Sequence, residues 1–448
     1  MGEKVMYDTI FARSFSRSDQ RKLGYAAFLG CLLIALSFCL VFKPYSTFLP
    51  LRLNVSEQKR TKIVCSSEKR TELCEINGDI RIEANSATVF VSVSPQESII
   101  NNSSRIIRPY ARKEDEYALS TVRKWSVKPV SDSNLIPKCN QNHSVPAILF
   151  SLGGYSGNNF HDFTDIIIPL FSTARVFDGQ VKFLVADKNP RWWVNKFQNL
   201  VQKLSNYEVV YIDNETDIHC FNNVIVGLKR SPQELSIDPS KSPAYSMTDF
   251  RQLLRNAYSL SKTTAIKLED SGDKNKKSRP PRLLIVARNR TRSFTNTDEI
   301  AAMGRNLGYE VVVAEADSNV ARFAQVVNSC DVMMGVHGAG LTNMVFLPEN
   351  AILIQIIPFG VAEWIVRDAF KYPSEGMNIN YLDYKIEAEE SSLIQQYPAG
   401  HEVLSNPISI LKKGWVPFKE VYLDKQNVKL DVNRFRLTLV KALELLHQ

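Results

Sequence analysis

Glycine and histidine residues follow an apolar segment in the stretch DVMMGVHGAGLTN, residues 331–343. Residues 332–334 have the pattern of a strand that is buried on both faces, as in a parallel sheet. Three glycines then allow the backbone to turn tightly and approach a ligand: Gly335, Gly338 and Gly340. A helix is expected to begin at Leu341, so that its free amides and the positive end of its dipole face the turn. The stretch therefore predicts an anion site, where His337 could donate a hydrogen bond.

A cluster of arginines follows a second predicted strand, LLIVA at residues 283–287. The cluster consists of Arg288, Arg290 and Arg292. Guanidinium groups at this spacing suit phosphate better than they suit a protein core. Open α/β sheets bind ligands at the carboxyl ends of their parallel strands, where both segments would lie. Since a glycine-rich turn alone is weak evidence of a site, the arginines are what predicts a diphosphate pocket.

A histidine and an aspartate lie close together after another glycine-rich stretch, SLGGYSGNNFHDF at residues 151–163. A strand is expected over residues 146–150 and a helix from about Asn159. His161 and Asp165 would then share one face of that helix. Either side chain could remove a proton from a hydroxyl nucleophile. The alternative, which spacing alone favours, is a surface pair that only supports the helix.

Strands and helices alternate on both sides of a charged segment at residues 271–282, which contains glycine and two prolines. Before it, edge strands within residues 74–109 precede strands at 146–150, 182–186 and 209–212 and helices at 192–203 and 247–260. After it, strands are expected at 283–287, 310–313, 332–334 and 352–357, with helices at 297–307, 320–328 and 432–446. This alternation predicts two parallel, Rossmann-like sheets with a cleft between them, and a last helix that packs back across the linker.

The composition fits a globular chain with a membrane anchor. Of 448 residues, 44% are hydrophobic and 23% are charged, and the net charge of +8 suits an anionic ligand or a membrane surface. No zinc-finger spacing or RNP-like motif indicates nucleic acid. Residues 23–42 carry no charge and are long enough for one transmembrane helix; a cleaved signal peptide usually has a shorter apolar region. Arg21 and Lys22 border this span, so the amino terminus should be cytoplasmic and the remainder lumenal.

Acceptor triplets and cysteines agree with a lumenal chain. Triplets for N-linked glycans occur at Asn54, Asn101, Asn102, Asn142, Asn214 and Asn289. Outside the predicted span, the cysteines are odd in number: Cys65, Cys74, Cys139, Cys220 and Cys330. At least one free thiol is therefore expected, and Cys65 with Cys74 is the first pair that we expect. No CxxC pair or HExxH motif indicates a zinc site.

The motifs VHGAGLTN, ARNRTRSFTN and GGYSGNNFHDF together resemble those of glycosyltransferase family 61. The segments CEINGDIRI, PYARKED and EESSLIQQYP extend the resemblance over nearly the whole chain, and it is strongest to enzymes that add pentoses to xylan. The resemblance implies the GT-B fold, an α/β architecture in which two Rossmann-like domains face each other across a cleft. It also implies a single-pass type II Golgi membrane protein and an inverting, nucleotide-sugar-dependent reaction that needs no metal.

The resemblance gives each segment an expected role. The domains would be a cytoplasmic tail (1–22), a transmembrane anchor (23–42), a stem (43–70), an acceptor-side domain (71–275) and a nucleotide-sugar domain (276–448). Residues expected to bind the donor are Arg288, Arg292, His337, Gly338, Ala339, Gly340, Leu341, Asn343 and Glu363. Asp165 or His161 would be the catalytic base. A UDP-sugar would be a co-substrate, and no metal or other cofactor is expected because no D-x-D motif directly follows a strand.

Four functions are compatible with these features. The first is transfer of arabinofuranose or xylose from a UDP-sugar to xylan in cell-wall biosynthesis. The second is transfer to glycoprotein glycans, and the third is a non-catalytic lumenal scaffold in a synthase complex, against which the intact arginines and glycines argue. A soluble dehydrogenase is the fourth, and the arginines and the predicted span argue against it. The expected partners are the UDP-pentose, a glycan acceptor, the Golgi membrane and further subunits in a homo- or hetero-oligomer, but no nucleic acid.

Overall fold

The computed structural model describes residues 61–95, 103–187, 189–241, 245–269 and 279–447. These residues belong to one compact unit of mixed α/β structure. Within these ranges no helix is long and apolar enough to cross a bilayer. The predicted tail and span, residues 1–42, lie outside the described residues, as does the predicted stem up to residue 60.

A mixed sheet of nine strands occupies the amino-terminal half of the described chain. Its strands are β1 (Lys62–Ser67), β2 (Glu72–Glu83), β3 (Thr88–Ser92), β4 (Arg105–Ile107), β5 (Trp125–Val130), β6 (Gln141–Asn142), β7 (Ala147–Ser151), β8 (Lys182–Ala186) and β9 (His219–Val226). The order is β4-β5-β3-β2-β9-β7-β8, with β1 on β2 and β6 on β9. Strand β7 is parallel to β8 and β9, whereas β2 is antiparallel to β9. A parallel α/β core is thus extended by an antiparallel region.

A parallel sheet of five strands follows in the carboxyl-terminal half of the described chain. Its strands are β10 (Arg282–Val286), β11 (Glu310–Ala314), β12 (Val332–Val336), β13 (Ile352–Ile357) and β14 (Asn380–Lys385). Their order is β11-β10-β12-β13-β14. Because β11 and β12 lie on opposite sides of β10, the strand order reverses there. The carboxyl ends of β10 and β12 therefore form the topological switch point, where doubly wound sheets leave a crevice for a ligand.

Helices cover the faces of both sheets. The α-helices of the described chain are Glu116–Leu119, Asn159–His161, Ile168–Ala174, Arg191–Lys196, Gln198–Leu204, Met247–Tyr258, Thr297–Asn306, Val320–Ser329, Glu363–Val366, Tyr372–Gly376, Glu402–Ser405, Pro407–Lys412, Trp415–Phe418 and Val432–Leu446. Local chemistry fixes several of their ends: Ser246 and Asp249 form a capping box, and the Asp431 side chain caps the last helix. That helix ends beside a residue that precedes the charged segment, since the amide of Leu268 donates to the carbonyl of Leu446 (2.7 Å).

The strands predicted around both glycine-rich turns are confirmed, and three local predictions are wrong. Residues 209–212 make only a single bridge at Val210 and enter a 3-10 turn, Ile212–Asn214, because turn-forming Asp and Asn follow at once. The helix expected at 192–203 is interrupted at Phe197, whose side chain is fully buried. The helix after the glycine turn is the 3-10 helix Ala339–Phe346, in which Asn343 Nδ2 donates to a carbonyl three residues back.

The cysteines are distributed as the sequence predicts. Cys65 and Cys74 form a disulfide that joins β1 to β2. Part of the segment predicted as a stem therefore belongs to the first sheet. A second disulfide joins Cys139 to Cys220. Cys330 is the free, buried thiol that the odd number requires.

Aromatic rings join the segment after β7 to the segment after β12. The ring of Phe163 packs at 5.9 Å from that of Phe346, and Tyr258 packs on the same ring at 5.6 Å. All three side chains are buried in one apolar cluster that includes residues of both sheets. The two glycine-rich turns therefore hold fixed positions relative to each other.

Candidate functional site

The glycine turn follows β12 at the switch point of the second sheet. Gly338 has a φ of 146°, a value that favours glycine. The 3-10 helix Ala339–Phe346 begins directly after it. A Cβ on Gly338 would lie 2.7 Å from Arg292 Nη1 and 3.1 Å from Arg288 Nη1. Two of the three clustered arginines therefore lie against the turn, which only glycine allows.

Neutral backbone carbonyls hold these two guanidinium groups. Arg288 Nε donates to the carbonyl of Thr291 (2.7 Å), and Arg292 Nη1 donates to the carbonyl of His337 (2.7 Å). In the part of the chain that the structure describes, no carboxylate lies within 4.0 Å of either group. The groups are thus positioned without being neutralised.

The positive charges of Arg288 and Arg292 exceed the negative charge close to them. Burial lowers the pKa of both guanidinium groups, and the charge of Arg288 contributes to a pKa of about 10 for Arg292. Glu315 raises the pKa of Arg288 and Asp424 that of Arg292, each as a lesser effect. Both arginines stay protonated at neutral pH, so they repel each other in the free protein. An anion between them would remove this repulsion, and phosphate oxygens match the guanidinium geometry.

Arg292 has an unusual backbone conformation. Its φ of 55° lies in the left-handed region, which costs a residue with a side chain about 1–3 kcal/mol. The conformation is held because the Arg292 amide donates to the carbonyl of Gln426 (2.8 Å). The fully buried Gln426 side chain is itself held by Phe359, whose amide donates to Gln426 Oε1 (2.9 Å). A distant segment therefore positions Arg292, and no signal in the sequence predicts that contact.

His337 is a neutral hydrogen-bond donor. Gln355 Nε2 donates to His337 Nδ1 (2.6 Å), and Gln355 Oε1 accepts from the hydroxyl of Tyr381 (2.7 Å). A ring nitrogen that accepts carries no proton, so the proton of the neutral ring is on Nε2. Burial, together with Arg292 and Arg288, lowers the pKa of His337 to about 3. The imidazole can therefore donate to a ligand from Nε2, but it does not take up a proton near neutral pH.

Other residues predicted to bind the donor shape the turn. The amide of Leu341 donates to the carbonyl of Gly338 (2.9 Å), so this amide closes the turn and is not free for a ligand. Asn343 Nδ2 donates to the carbonyl of Gly340 (2.9 Å). Ala339 is the first residue of the 3-10 helix. These residues shape the glycine turn against which the two arginines lie.

Two charged residues of the predicted site point elsewhere. Arg290, which lies between the two pocket arginines in the sequence, is exposed to solvent. The Glu363 side chain is 77% exposed, and its carboxylate lies 3.5 Å from Arg367 Nη1. The structure does not bring either residue into the pocket, and arginine spacing alone did not distinguish Arg290 from its neighbours.

His161 and Asp165 form a hydrogen-bonded pair, with 2.8 Å between Nδ1 and Oδ2. The Asp165 carboxylate is fully buried and also accepts from Arg112 Nε (3.0 Å) and the Tyr110 hydroxyl (3.1 Å). Burial would raise the pKa of Asp165, but Arg230, His161 and Arg112 lower it to about 2. Asp165 therefore stays ionised and orients the ring, whereas the His161 side chain is 18% exposed.

A network of ion pairs surrounds Asp165. Arg230 Nη1 lies 3.2 Å from Asp165 Oδ1. Glu234 accepts from Arg112 Nη2 (3.3 Å) and from Arg230 Nη2 (2.5 Å). Arg70 Nη2 also lies 3.4 Å from Glu234 Oε1, so three guanidinium groups, one of them partly exposed, contact the two carboxylates. Apart from the charged motif PYARKED, no sequence pattern predicts this arrangement, because its members are far apart along the chain.

The histidine–aspartate pair lies next to the anion pocket. The Asn158 side chain caps the helix Asn159–His161 by accepting from the amide of Phe160 (3.0 Å). This helix contacts the 3-10 helix Ala339–Phe346. The ring of Phe370 lies 5.8 Å from that of Phe160 and 5.7 Å from that of His337. The rings of Phe370 and Phe160 therefore form a chain of contacts from His337 to His161, whose ring lies 5.4 Å from that of Phe160.

The fold and the site together define an α/β protein in which two half-buried arginines lie against a glycine turn, and the helix after that turn contacts the helix that carries His161. The family described as Glycosyltransferase 61 matches residues 160–354, a range that contains all the candidate residues except Glu363. A beta-1,2-xylosyltransferase of Oryza sativa subsp. japonica is 42% identical over 393 residues, which are 85% of this chain and 83% of that protein. A xylan glycosyltransferase of Arabidopsis thaliana is 34% identical over 400 residues, 86% of this chain and 80% of that protein. The chain belongs to the Glycosyltransferase 61 family.

The sequence identity is higher to a relative whose chain is longer. An alpha-1,3-arabinosyltransferase of the same rice is 47% identical over 391 residues, which are 86% of this chain but 66% of that protein. The chain thus spans about two thirds of the length of that arabinosyltransferase. Among solved structures, an iron-containing heptosyltransferase aligns with a TM-score of 0.25 at 9% identity, over 67% of this chain and 78% of that chain, which adds nothing to the assignment.

Replacing Asp165 by asparagine tests its position at the centre of the charge cluster. Leaving Arg112 and Arg230 without this carboxylate should lower the free energy of unfolding by about 3–5 kcal/mol, because buried charges lose a partner. His161→Ala removes one hydrogen bond to the same carboxylate and should cost about 1 kcal/mol. Urea unfolding measures both changes. If both variants lost the same free energy of unfolding, the main role of Asp165 would not be to pair with the buried arginines.

The difference in free energy of unfolding between wild type and Asp165→Asn should depend on pH in a defined direction. Because the pKa of Asp165 is lowered to about 2 in the folded protein, its contribution to stability is complete above the unfolded pKa of about 4 and is lost as the pH falls through about 2. The stability difference between wild type and Asp165→Asn should therefore be constant from neutral pH to about 4 and shrink below it. A difference that shrinks already near pH 6 would point to another group.

Proposed function

We propose that this chain is an inverting glycosyltransferase that transfers a pentose, arabinofuranose or xylose, from a UDP-sugar to xylan. The names of the relatives support the pentose and the acceptor, since they include arabinosyl-, xylosyl- and xylan glycosyltransferases at 34% to 47% identity. The observation that carries the reaction is a pair of guanidinium groups that no carboxylate of the described chain contacts, on a turn whose 3-10 helix touches the helix with a histidine that a buried carboxylate orients.

The departing UDP is stabilised by the protein itself. Arg288 and Arg292 bind the diphosphate, whose negative charge grows as the bond to the sugar breaks. Donors that are already positioned stabilise this charge without the cost of reorganisation. His337 donates from Nε2 to an oxygen of the nucleotide, as its tautomer allows.

His161 is the catalytic base in this mechanism, and Asp165 is the residue that orients it. The Nδ1–H of His161 donates to Asp165, which leaves Nε2 free to accept a proton from the acceptor hydroxyl. That oxygen attacks the anomeric carbon from the face opposite to UDP, so one bond forms as one breaks and the configuration inverts. The carboxylate stabilises the imidazolium that results.

The proposal includes the architecture and the cellular location. The two sheets support a GT-B arrangement with a donor domain over residues 276–448 and an acceptor domain over residues 71–275. The uncharged stretch at residues 23–42 and the acceptor triplets support a type II Golgi membrane protein with a lumenal catalytic domain. Assembly with further subunits, either copies of this chain or other chains, belongs to the same proposal.

A screen of donors and acceptors with the full chain in detergent tests this function. UDP-xylose, UDP-arabinofuranose and UDP-N-acetylglucosamine are each offered with xylohexaose and with a mannosylated peptide. We expect release of UDP and formation of a pentose-modified xylohexaose. Nuclear magnetic resonance then determines the anomeric configuration of the new linkage. The peptide is included because a protein O-linked-mannose beta-1,4-N-acetylglucosaminyltransferase of Tetraodon nigroviridis is 22% identical over 366 residues. If sugar were transferred to the peptide but not to xylohexaose, the acceptor would be a glycoprotein glycan and the xylan proposal would be wrong.

We expect transfer to be independent of divalent metal ions. The arginines supply the positive charge that a cation would otherwise bring to the diphosphate. The part of the chain that the structure describes also has no group of three or more His, Cys, Asp or Glu side chains suited to a metal ion. Activity should therefore be unchanged after dialysis against EDTA. A loss that Mn²⁺ restores would contradict this mechanism.

Arginine variants test the anion pocket. Arg288→Gln and Arg292→Gln should each weaken UDP binding by about tenfold to a hundredfold, the range for a lost hydrogen bond to a charged group. Arg290→Gln is the matched control, because it removes the same charge from the same loop but from an exposed side chain. Isothermal titration with UDP measures the affinities. If Arg290→Gln weakens binding as much as the other two, the effect is one of overall charge and the pocket is not the site.

A further inference from the structure

Exposed aromatic rings lead from solvent to His161. The Tyr117 side chain is 79% exposed, although it is a large aromatic ring. It stacks on Tyr155, with 6.1 Å between the ring centroids and 25° between the planes. The ring of Tyr155 in turn lies 4.4 Å from that of His161. These rings form a continuous surface that ends at the proposed base.

Buried and half-buried polar groups fix this surface. The Asp115 carboxylate accepts from the Tyr155 hydroxyl (3.0 Å) and caps the helix Glu116–Leu119 that carries Tyr117. The backbone amide of Tyr155 donates to the Tyr110 hydroxyl (3.2 Å), which donates to Asp165 (3.1 Å). The carboxylate that orients His161 therefore also helps to position Tyr155.

A third ring, Trp192, lies beside the same loop and is exposed, as Tyr117 is. Trp192 is 44% exposed, whereas its neighbour Trp193 is buried. A Cβ on Gly157 would lie 3.3 Å from the Trp192 ring. The fully buried Asp162 accepts from the Gly157 amide (2.8 Å) and from Trp193 Nε1 (2.8 Å). One carboxylate thus binds the glycine loop to the helix Arg191–Lys196, so that Trp192 faces outward beside the loop.

We propose that Tyr117, Tyr155 and Trp192 form the binding platform for the xylan acceptor. This inference rests on the proposed function. A xylan backbone offers no charge for an ion pair, but the C–H faces of its pyranose rings can stack on aromatic rings. Rigid aromatic side chains provide such contacts with little loss of conformational entropy. The platform adjoins the base rather than the arginines, so its occupant is the acceptor and not the nucleotide.

Kinetics of ring variants test the platform. Tyr117→Ala and Trp192→Ala should each raise the KM for xylohexaose by about fivefold to tenfold, which corresponds to one lost stacking contact. The affinity for UDP should stay unchanged, and Tyr117→Phe should restore the KM because the ring and not the hydroxyl makes the contact. Trp415→Ala is the matched control: this ring is 51% exposed and packs on Phe418, away from both turns. Its KM should equal that of the wild type.

Direct binding of xylohexaose in the absence of a donor separates the two hypotheses. Wild-type protein that binds xylohexaose, with weaker binding in both alanine variants but no pentose transfer, would overturn the proposed function and support the platform. Normal transfer with an unchanged KM in both alanine variants would overturn the platform alone. If the alanine variants also bound UDP more weakly, the rings would belong to the nucleotide site, and the platform proposal would be wrong. Protein that neither binds nor modifies xylohexaose would overturn both.

Discussion

Unneutralised positive charge at the switch point of the second sheet is the constraint on which the candidate site depends. Arg288 and Arg292 are half-buried and close to each other, and among the described residues their guanidinium groups donate to carbonyl oxygens. Burial and mutual repulsion oppose their charged forms, and the backbone of Arg292 is strained as well. A structure retains such costs only where the surroundings enforce them. Here Gly338 leaves room for the side chains, and the buried Gln426 holds the backbone in place.

The two clusters of arginines differ in charge balance, and this difference separates their roles. Around Asp165, the guanidinium groups of Arg70, Arg112 and Arg230 each contact a carboxylate of Asp165 or Glu234, so every arginine of this cluster has an anionic partner within the protein. Breaking it leaves buried charges unpaired, which makes it a rigid support for His161. Beside Gly338, no carboxylate of the described chain contacts either arginine, and Glu315 and Asp424 act on their charges only as lesser effects from a longer distance. The same residue type therefore has carboxylate partners at one place and no contacting carboxylate within the described chain at the other.

Sequence patterns predicted what depends on neighbours along the chain and missed what depends on distant contacts. Runs of apolar residues gave β7, β8, β10, β12 and β13 nearly to the residue, because strands buried on both faces have a plain signature. The glycine turn and its arginines were recognisable from composition and order. Spacing could not show that Asp165 is buried, because an i,i+4 pair looks the same on a surface and in a core. It also could not show that Arg290 points to solvent, since the contact between Arg292 and Gln426 decides the loop conformation.

Aromatic packing sets the distance between the two halves of the proposed reaction. Phe163 joins the helical segment that carries Asp165 to Phe346 of the 3-10 helix after the glycine turn, and Phe370 lies between Phe160 and His337. Ring contacts of this kind are specific in shape and are buried here in one core. A base in one sheet layer and an anion pocket in the other can act on a single bond only if their separation is fixed more closely than polar surface contacts allow. Because the aromatic contacts belong to the core, the geometry of the site is a consequence of how the two sheets fold together.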